Sequence, residues 1–516
     1  MGRVIEAYTA ADVRSAEEPL LAAERGFHGG LMHRAATALA GVVREELAAR
    51  AEPVVGSTVV ALVGRGNNGG DALHAMAVLA GRGADVTALA LGPLHEGGLV
   101  ALRTAGGRVL AVADDAPGTP VWVGDAVAEA FAADVLLDGL LGIGGRGGLR
   151  EPAASLVELL DPLLAEAGDA GPTVVAVDLP SGIGVDDGTV PGPVLPADRT
   201  VTFGVPKPGL LLPPAAPLAG VLSVVDLALT DVLVQHGARP AVLRVERPDL
   251  VVGWPRPALD DHKYSRGVLG VLAGSAEYPG AAVLTVAGAQ GGGVGMVRYV
   301  GPPDVTHTVL AAHPEVVAGD GRVQAWVIGP GLAGERLGVA RERLAAVLRD
   351  GAPVVVDAGA LDLLPERAES AVLTPHAGEL AALLRGRGAD VAREDVEAEP
   401  LRWAREAHAR TGSTVLLKGA VTLVVAAEAV YAQGDATPWL ATAGAGDVLA
   451  GLLGALLATL AAQAPGESLL PDELARAAAM AASVHGRAAV AASGGGPVTA
   501  SRVASAVPAV LAGLLG

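Results

Sequence analysis

The stretch that most constrains this chain is Gly64-Arg-Gly-Asn-Asn-Gly-Gly-Asp71. It is entered from the apolar run Thr58-Val-Val-Ala-Leu-Val63 and followed by a helix-like run from Ala72 to Gly81. A strand, a glycine loop and a helix start, in that order, aim backbone N–H groups and the positive end of a helix at an anion. The glycines let the backbone approach a phosphate closely. Gly64, Gly66 and Gly69 satisfy the spacing Gly-x-Gly-x-x-Gly, a weak signal alone, and the absence of a Gly-Lys-Ser/Thr ending excludes a P-loop. Asn67, Asn68 and Asp71 place oxygen-bearing side chains beside the cradle, which suits a hard cation or a polar nucleotide. The alternative is an ordinary tight turn, for which Asn-Asn-Gly-Gly-Asp is costly in conformational entropy.

A chain of 516 residues implies two or more domains. It is 51% hydrophobic but only 3% aromatic, so its cores are packed from Val, Leu and Ala. The 71 glycines and 35 prolines fall below the level of low-complexity sequence and read as loops and close packing. A net charge of −19 offers no basic stripe for nucleic acid and no patch for anionic lipid, so an anionic ligand must be held by local loops. With no Cys there is no disulfide, no thiolate nucleophile and no Cys-ligated metal. The first residues, with Arg3 and Glu6, carry no apolar run and read as no signal peptide. Val448 to Ala462 is Ala/Gly-rich and too short for a membrane span, so it reads as a buried core helix. A cytoplasmic protein with no membrane or nucleic-acid partner is expected.

In the first half, Ala10 to Glu52 reads as helical. Strands are expected at Ala84 to Gly92, Arg108 to Ala113, Pro120 to Val123, Asp134 to Leu140 and Thr173 to Val177. A strand and a rigid turn are expected over Ala197 to Leu210. Asp138 lies near the end of its strand, and Gly142-Ile-Gly-Gly-Arg-Gly-Gly148 follows as a second backbone anion site, with Arg146 available to a phosphate. Another strand ends in Asp178-Leu-Pro-Ser-Gly182. Ligands of a doubly wound sheet lie outside the carboxyl ends of its strands, so these loops are expected to converge. Each lone Asp also reads as a helix cap.

These motifs, with Val201-Thr-Phe-Gly-Val-Pro-Lys-Pro-Gly209, resemble the NAD(P)H-hydrate epimerase family over about Met1 to Ala238. The resemblance implies a Rossmann-like fold that binds hydrated nicotinamide nucleotide. It implies that Asn67, Asn68, Gly69, Gly70 and Asp71 hold the substrate phosphates together with Gly142, Ile143, Gly144, Gly145, Arg146, Gly147 and Gly148. It implies a potassium ion on Asn68, Asp138 and Ser181, and a substrate contact by Asp178, the candidate base. Where the family has Met-Glu-Asn-Ala-Gly, this chain has Met32-His-Arg-Ala-Ala36.

Arg239 to Leu259, with four prolines, reads as the boundary between domains spanning 1–238 and 259–516. Strands expected at Val268 to Gly274, Met296 to Tyr299, Ala325 to Ile328, Pro353 to Val356 and Ser413 to Leu417 alternate with helical runs such as Ala281 to Ala289. That alternation implies a second, mainly parallel α/β domain. Its chemical centre is Thr442-Ala-Gly-Ala-Gly-Asp447, which opens a long apolar helix. First-turn N–H groups make an anion hole, and Asp447 stands where it can take a proton from a hydroxyl facing a phosphate. The alternatives are a capping carboxylate for Asp447, a buried satisfied imidazole for His376 and a solvated cap for Lys418.

Lys263-Tyr-Ser-Arg-Gly267, Ala273-Gly-Ser275, Gly329-Pro-Gly-Leu332, Thr374-Pro-His-Ala-Gly-Glu379, Lys418-Gly-Ala420 and Gly444-Ala-Gly-Asp447 resemble the ribokinase-like superfamily. More narrowly, they resemble the ADP- or ATP-dependent NAD(P)H-hydrate dehydratases, from about Leu259 onward. The resemblance implies that Ala282, Gly331, His376 and Asp447 contact the hydrate. It implies that Lys418, Gly419, Ala420, Val421, Thr422 and Gly446 contact the adenine nucleotide. Asp357-Ala-Gly-Ala-Leu361 carries Gly359 where the family often has a second Asp. Together the halves imply two doubly wound α/β domains, Rossmann-like then ribokinase-like, in a homo-oligomeric metabolite-repair enzyme. It would act as isomerase and lyase on NADHX and NADPHX, with potassium, magnesium and ADP or ATP. The rivals are a ribokinase-like kinase of a small vitamin alcohol with a nucleotide-binding N-terminal domain, and a non-catalytic nucleotide-binding module.

Overall fold

Along Thr58–Val63, Val59, Ala61 and Val63 face one buried cluster, and Val60 and Leu62 face another. Val135–Gly139 and Thr173–Val177 divide their side chains in the same way. Strands covered on both faces read as unbroken apolar runs, which is why these three were visible in the sequence. The computed structural model describes residues 4–24 and 26–516. Met1 to Arg3, part of the N-terminal reading, and Arg25, within the helical run, lie outside the described residues. Glu6–Ala241 and Val242–Gly516 form two compact units, the second also taking in Ile5.

The first unit is a parallel sheet in the order Thr119–Pro120, Arg108–Ala111, Asp85–Ala90, Thr58–Val63, Val135–Gly139, Thr173–Val177, Arg199–Phe203, Val221–Val225. From Thr58–Val63 the chain winds outward in one direction, and from Val135–Gly139 in the other. The crevice between those two strands is therefore the topological switch point. Two expectations are corrected here. Pro120–Val123 is a strand only to Pro120; Val123 already opens the helix Val123–Phe131, entered from Trp122 in the N-cap. The helical run from Ala10 is two helices, Ala10–Ala23 and Leu31–Ala49, broken where Gly26 and Gly29 take positive φ.

The second unit's sheet runs Val242–Arg244, Val430–Gln433, Thr422–Val425, Thr414–Leu417, Ala371–Leu373, Val354–Val356, Ala325–Ile328, Val268–Leu272, Met296–Tyr299, Val317–Ala318. It is parallel except where Thr422–Val425 pairs antiparallel with both neighbours. Its switch point lies between Val268–Leu272 and Ala325–Ile328. Much of the proline-rich stretch read as a boundary is folded: it holds the strand Val242–Arg244 and the helix Arg247–Gly253, and Leu250 and Trp254 join the second unit's core. Pro248 sits in that helix's first turn, where no N–H is needed.

The helix Ala445–Gln463 crosses Pro279–Gly291 with main chains in contact. A Cβ on Gly451 would stand 1.9 Å from the Thr285 carbonyl oxygen, and one on Gly288 would stand 2.2 Å from that of Val448. Ala445–Gln463 is long and apolar enough to cross a membrane, and 67% of its most apolar window is buried inside the unit. Because the crossing admits no side chain, Gly451→Ala is expected to destabilise the unit by about 3 kcal/mol in denaturant unfolding. Gly513→Ala, whose Cβ meets nothing, is expected to be neutral or stabilising by up to about 1 kcal/mol.

Candidate active sites

In the first unit the glycine stretch is a loop only from Gly64 to Gly66, and the helix begins at Asn67 rather than at Ala72. Asn67, Asn68, Gly69, Gly70 and Asp71 are themselves the opening of the helix Asn67–Ala80, with Gly66 at the N-cap. Poor helix propensity hid this start, and close approach explains it. A Cβ on Gly69 would stand 2.2 Å from the Gly64 carbonyl oxygen, and one on Gly64 would stand 2.0 Å from that of Leu140. The second glycine stretch meets the same turn: a Cβ on Gly142 would lie 3.2 Å from that of Asn68. Arg14 donates to the Ile143 carbonyl, while Arg146 is exposed.

Asn68, Asp138 and Ser181 surround the Leu141 peptide. Asn68 Nδ2 donates to the Leu141 carbonyl at 3.1 Å, and Leu141 N donates to Ser181 Oγ at 2.9 Å. Ser181 Oγ and N donate to the Asp138 carboxylate at 2.6 and 2.7 Å. Burial pushes the Asp138 carboxyl up, and the hydrogen bonds from Ser181 and Leu140 hold it back.

Asp178 sits at φ 68°, a left-handed backbone that few non-glycine residues adopt. Its Oδ1 accepts from Lys207 Nζ at 2.5 Å, Thr202 Oγ1 at 3.1 Å and Phe203 N at 3.2 Å. Lys207, only 1% exposed, also donates to the Phe203 carbonyl at 2.9 Å. The sequence reading passed over Lys207 as a site residue, although a lysine between Pro206 and Pro208 was the available signal. Burial pushes Asp71 well above the usual carboxylate range, with Asp178 and Glu17 adding to it and Lys207 opposing. Glu17 is raised too, first by burial. Carboxyls whose environments differ in this way can divide the roles of acid and base between them.

His33, where the family pattern has Glu, lies edge-on to Phe27 at 5.3 Å. Phe27 stacks on His74 at 4.1 Å, and burial, then His95 and His33, pull His74 down to about 4. Lys207→Met would leave Asp178 buried without its counter-ion. A loss of about 3–5 kcal/mol in urea unfolding is expected.

In the second unit the loops at the switch point interlock. Gly274 N donates to the Pro330 carbonyl at 2.7 Å, and a Cβ on Gly331 would stand 2.5 Å from that of Ala281, beside buried Ala282. Gly359 is pressed on the Leu332 carbonyl, 3.0 Å from where its Cβ would be, so a second Asp there would displace backbone.

Gly444, at φ 86°, occupies the N-cap of Ala445–Gln463, and Asp447 lies in the first turn. Lys418 Nζ stands 3.0 Å from Asp357 Oδ1, 3.7 Å from Glu379 Oε2, and 3.3 Å from where a Gly446 Cβ would be. Lys418 is thus ion-paired rather than a solvated cap. Burial would pull it down, but Asp357, Glu379 and Asp447 outweigh that and hold it up. Burial, then Asp357 and Glu379, push Asp447 up to about 7, with Lys418 opposing. Asp357 and Glu379 were not singled out as site residues from sequence.

His376 is not buried. Its side chain is 59% exposed and its Nδ1 caps the helix Ala377–Gly386, accepting from Gly378 N at 3.1 Å and Glu379 N at 3.3 Å. Its outer face remains open to a ligand. Gly419 and Ala420 are exposed, Val421 is buried, and Thr422 begins a strand. A reaction that uses Asp447 as base needs the ionised carboxylate. Its rate is therefore expected to rise through pH 7 and to fall below it, and Asn at 447 is expected to remove both the limb and the rate in a pH–rate profile.

The family model described as NAD(P)H-hydrate dehydratase matches residues 269–507, and that described as YjeF-related protein N-terminus matches 28–209. The chain is 41% identical to the bifunctional NAD(P)H-hydrate repair enzyme of Mycobacterium leprae, over 98% of this chain and 99% of that protein. It is 42% identical to that of Mycobacterium tuberculosis (88% and 89%) and 33% identical to that of Escherichia coli (83% and 79%). Among solved structures, an ADP/ATP-dependent NAD(P)H-hydrate dehydratase from Bacillus subtilis, co-crystallised with ATP and Mg2+, is 24% identical, covers 52% of this chain and 97% of its own, and has a TM-score of 0.45. On likeness of this extent, the chain belongs to the bifunctional NAD(P)H-hydrate repair enzyme family.

Proposed function

We propose that the first unit interconverts the R and S epimers of NADHX and NADPHX, and that the second dehydrates the S epimer to NADH or NADPH at the expense of ADP or ATP. The observation that carries this reading is the company of Asp447: a carboxyl held near pH 7 at a helix start, with the Lys418 ammonium alongside. Asp447 takes the proton of the ring hydroxyl as its oxygen attacks the terminal phosphorus of the nucleotide. The first-turn N–H groups and Lys418 hold the charge that develops on the transferred group. The phosphate ester then eliminates as phosphate, restoring the ring double bond. With ATP, hydrate and ATP give NADH, ADP and phosphate. Lys418 to Thr422 and Gly446 are the proposed nucleotide contacts, and Ala282, Gly331 and His376 the proposed hydrate contacts.

In the first unit, Asp178 is the proposed base beside the hydrated carbon, and Asp71, whose carboxyl burial and Asp178 raise, is its neighbour at the site. The helix opening from Asn67 to Asp71 and the Gly142 to Gly148 stretch face the phosphates. Asn68, Asp138 and Ser181 are gathered around the Leu141 peptide, and their side-chain oxygens are the proposed set for a hard cation. A potassium ion bound there would supply fixed positive charge to an anionic substrate. Magnesium would come with the nucleotide and would offset the charge that develops in phosphoryl transfer.

The test follows absorbance at the NADH band with an R/S mixture of NADHX, magnesium, potassium, and ADP or ATP in turn. Full recovery with one nucleotide is expected. Asp178→Asn is expected to recover only the S portion, with R lost at its spontaneous rate, and Asp447→Asn nothing. A wild-type protein that recovers no NADH with either nucleotide overturns the reading.

A further inference from the structure

Three neighbouring strands end in a row of polar side chains. Asp357 follows Val354–Val356, Thr374 follows Ala371–Leu373, and Lys418 follows Thr414–Leu417. Thr374 Oγ1 donates to Asp357 Oδ1 at 2.7 Å, and Lys418 Nζ meets the same oxygen at 3.0 Å. The backbone beneath is fixed on both sides. A Cβ on Gly329 would stand 1.8 Å from the Asp357 carbonyl, and Lys418 N donates to the Pro375 carbonyl at 2.8 Å. The Asp357 side chain is 3% exposed against 22% for Lys418. Asp357 therefore does not reach a ligand itself; it acts through the lysine.

Building on the function proposed above, we propose that Asp357 is a positioning residue for the phosphoryl transfer. It anchors Lys418 against the first turn of the Ala445–Gln463 helix, where the ammonium meets the incoming phosphates, and keeps that ammonium from pairing with Asp447. A lysine released from Asp357 has two other carboxylates within its range, Glu379 and Asp447. Pairing with Asp447 would weaken it as a base, by stabilising its carboxylate, and withdraw the charge from the phosphates in one movement. Glu379 is already engaged by His376 N at 2.8 Å and stands farther off, so it is the weaker anchor. The charged groups facing Asp447 are Asp357, Lys418 and Glu379. His485, which faces Ala445 and Lys418 from the helix Pro471–Ser493, is pulled down to about 4 by burial and stays neutral.

The experiment compares Asp357→Asn, Thr374→Val, Lys418→Met and the Asp357→Asn/Lys418→Met double variant in the full chain. It reads kcat, KM for hydrate and nucleotide, the pH–rate profile and Tm. Asp357→Asn is expected to lower kcat by roughly 10²-fold with little change in KM for the hydrate. Its acid limb is expected at lower pH than the wild type's. Loss of the Asp357 charge and approach of Lys418 to Asp447 both favour the ionised carboxylate, so both act in the same direction. Thr374→Val is expected to shift both readouts the same way by less. In the Lys418→Met background, Asp357→Asn is expected to add little, because its route of action is already gone.

A folded Asp357→Asn variant with wild-type kcat and an unmoved limb overturns the proposal. So do Asp357 and Lys418 effects that multiply independently. Should Asp357→Asn not fold, Thr374→Val decides by the same readouts. A wild type inactive with both nucleotides sinks the underlying function, whereas an active wild type with an indifferent Asp357→Asn sinks only this inference.

Discussion

At Gly451 a methyl group would stand 1.9 Å from the carbonyl oxygen of Thr285, and at Gly64 one would stand 2.0 Å from that of Leu140. A chain with 3% aromatic residues cannot fill its interior with large rings, so it brings main chain against main chain at glycine instead. Each contact costs conformational entropy in the unfolded chain and gains dispersion and rigidity in the folded one. Residues proposed to bind, position or react lie beside these contacts. Asp447 is four residues upstream of Gly451 on the same helix, Asn67 follows Gly64 by three residues, and the Asp357 carbonyl rests on Gly329. The two units hold their chemistry still by the same means.

They also use the same pair of charges to different ends. In the first unit Lys207 is spent on the candidate base itself, donating to Asp178 with all its visible partners inside the protein. In the second, Lys418 is tied to a carboxylate that is not the base, and Asp447 is raised to about 7, where it can exchange a proton near neutral pH. Burial cost is common to both sites, and they differ in which carboxylate the one ammonium is paired with.

The strands that both faces cover were legible because their runs are apolar without interruption, as in Thr58–Val63, Ala325–Ile328 and Thr414–Leu417. So was the gathering of Asn68, Asp138 and Ser181, since three strand ends of one parallel sheet must share an edge. The helix start at Asn67 was not, because local propensity argues against Asn-Asn-Gly-Gly in a helix and only contact with Gly64 and Leu140 overrides it. Lys207 and Asp357 escaped for a related reason. Their importance lies in partners 29 and 61 residues away, and no local pattern announces an ion pair of that span. The units divide at Ala241 and Val242, inside the stretch Arg239 to Leu259 read as the boundary, but the rest of that stretch is folded and Pro248 opens a helix there.

The backbone at Asp178 carries a consequence for how this protein can change. Glycine adopts its φ of 68° without a Cβ penalty, while an L-residue gives up about 1–2 kcal/mol there. A buried ion pair is often less stable than an apolar pair of the same volume. Asp178 and Lys207 together are thus a place where the first unit is held below the stability its fold permits. Selection on heat resistance alone would drive both residues out jointly, since losing one strands the charge of the other. With Asp178 as the proposed base, turnover and heat resistance select on this pair in opposite directions.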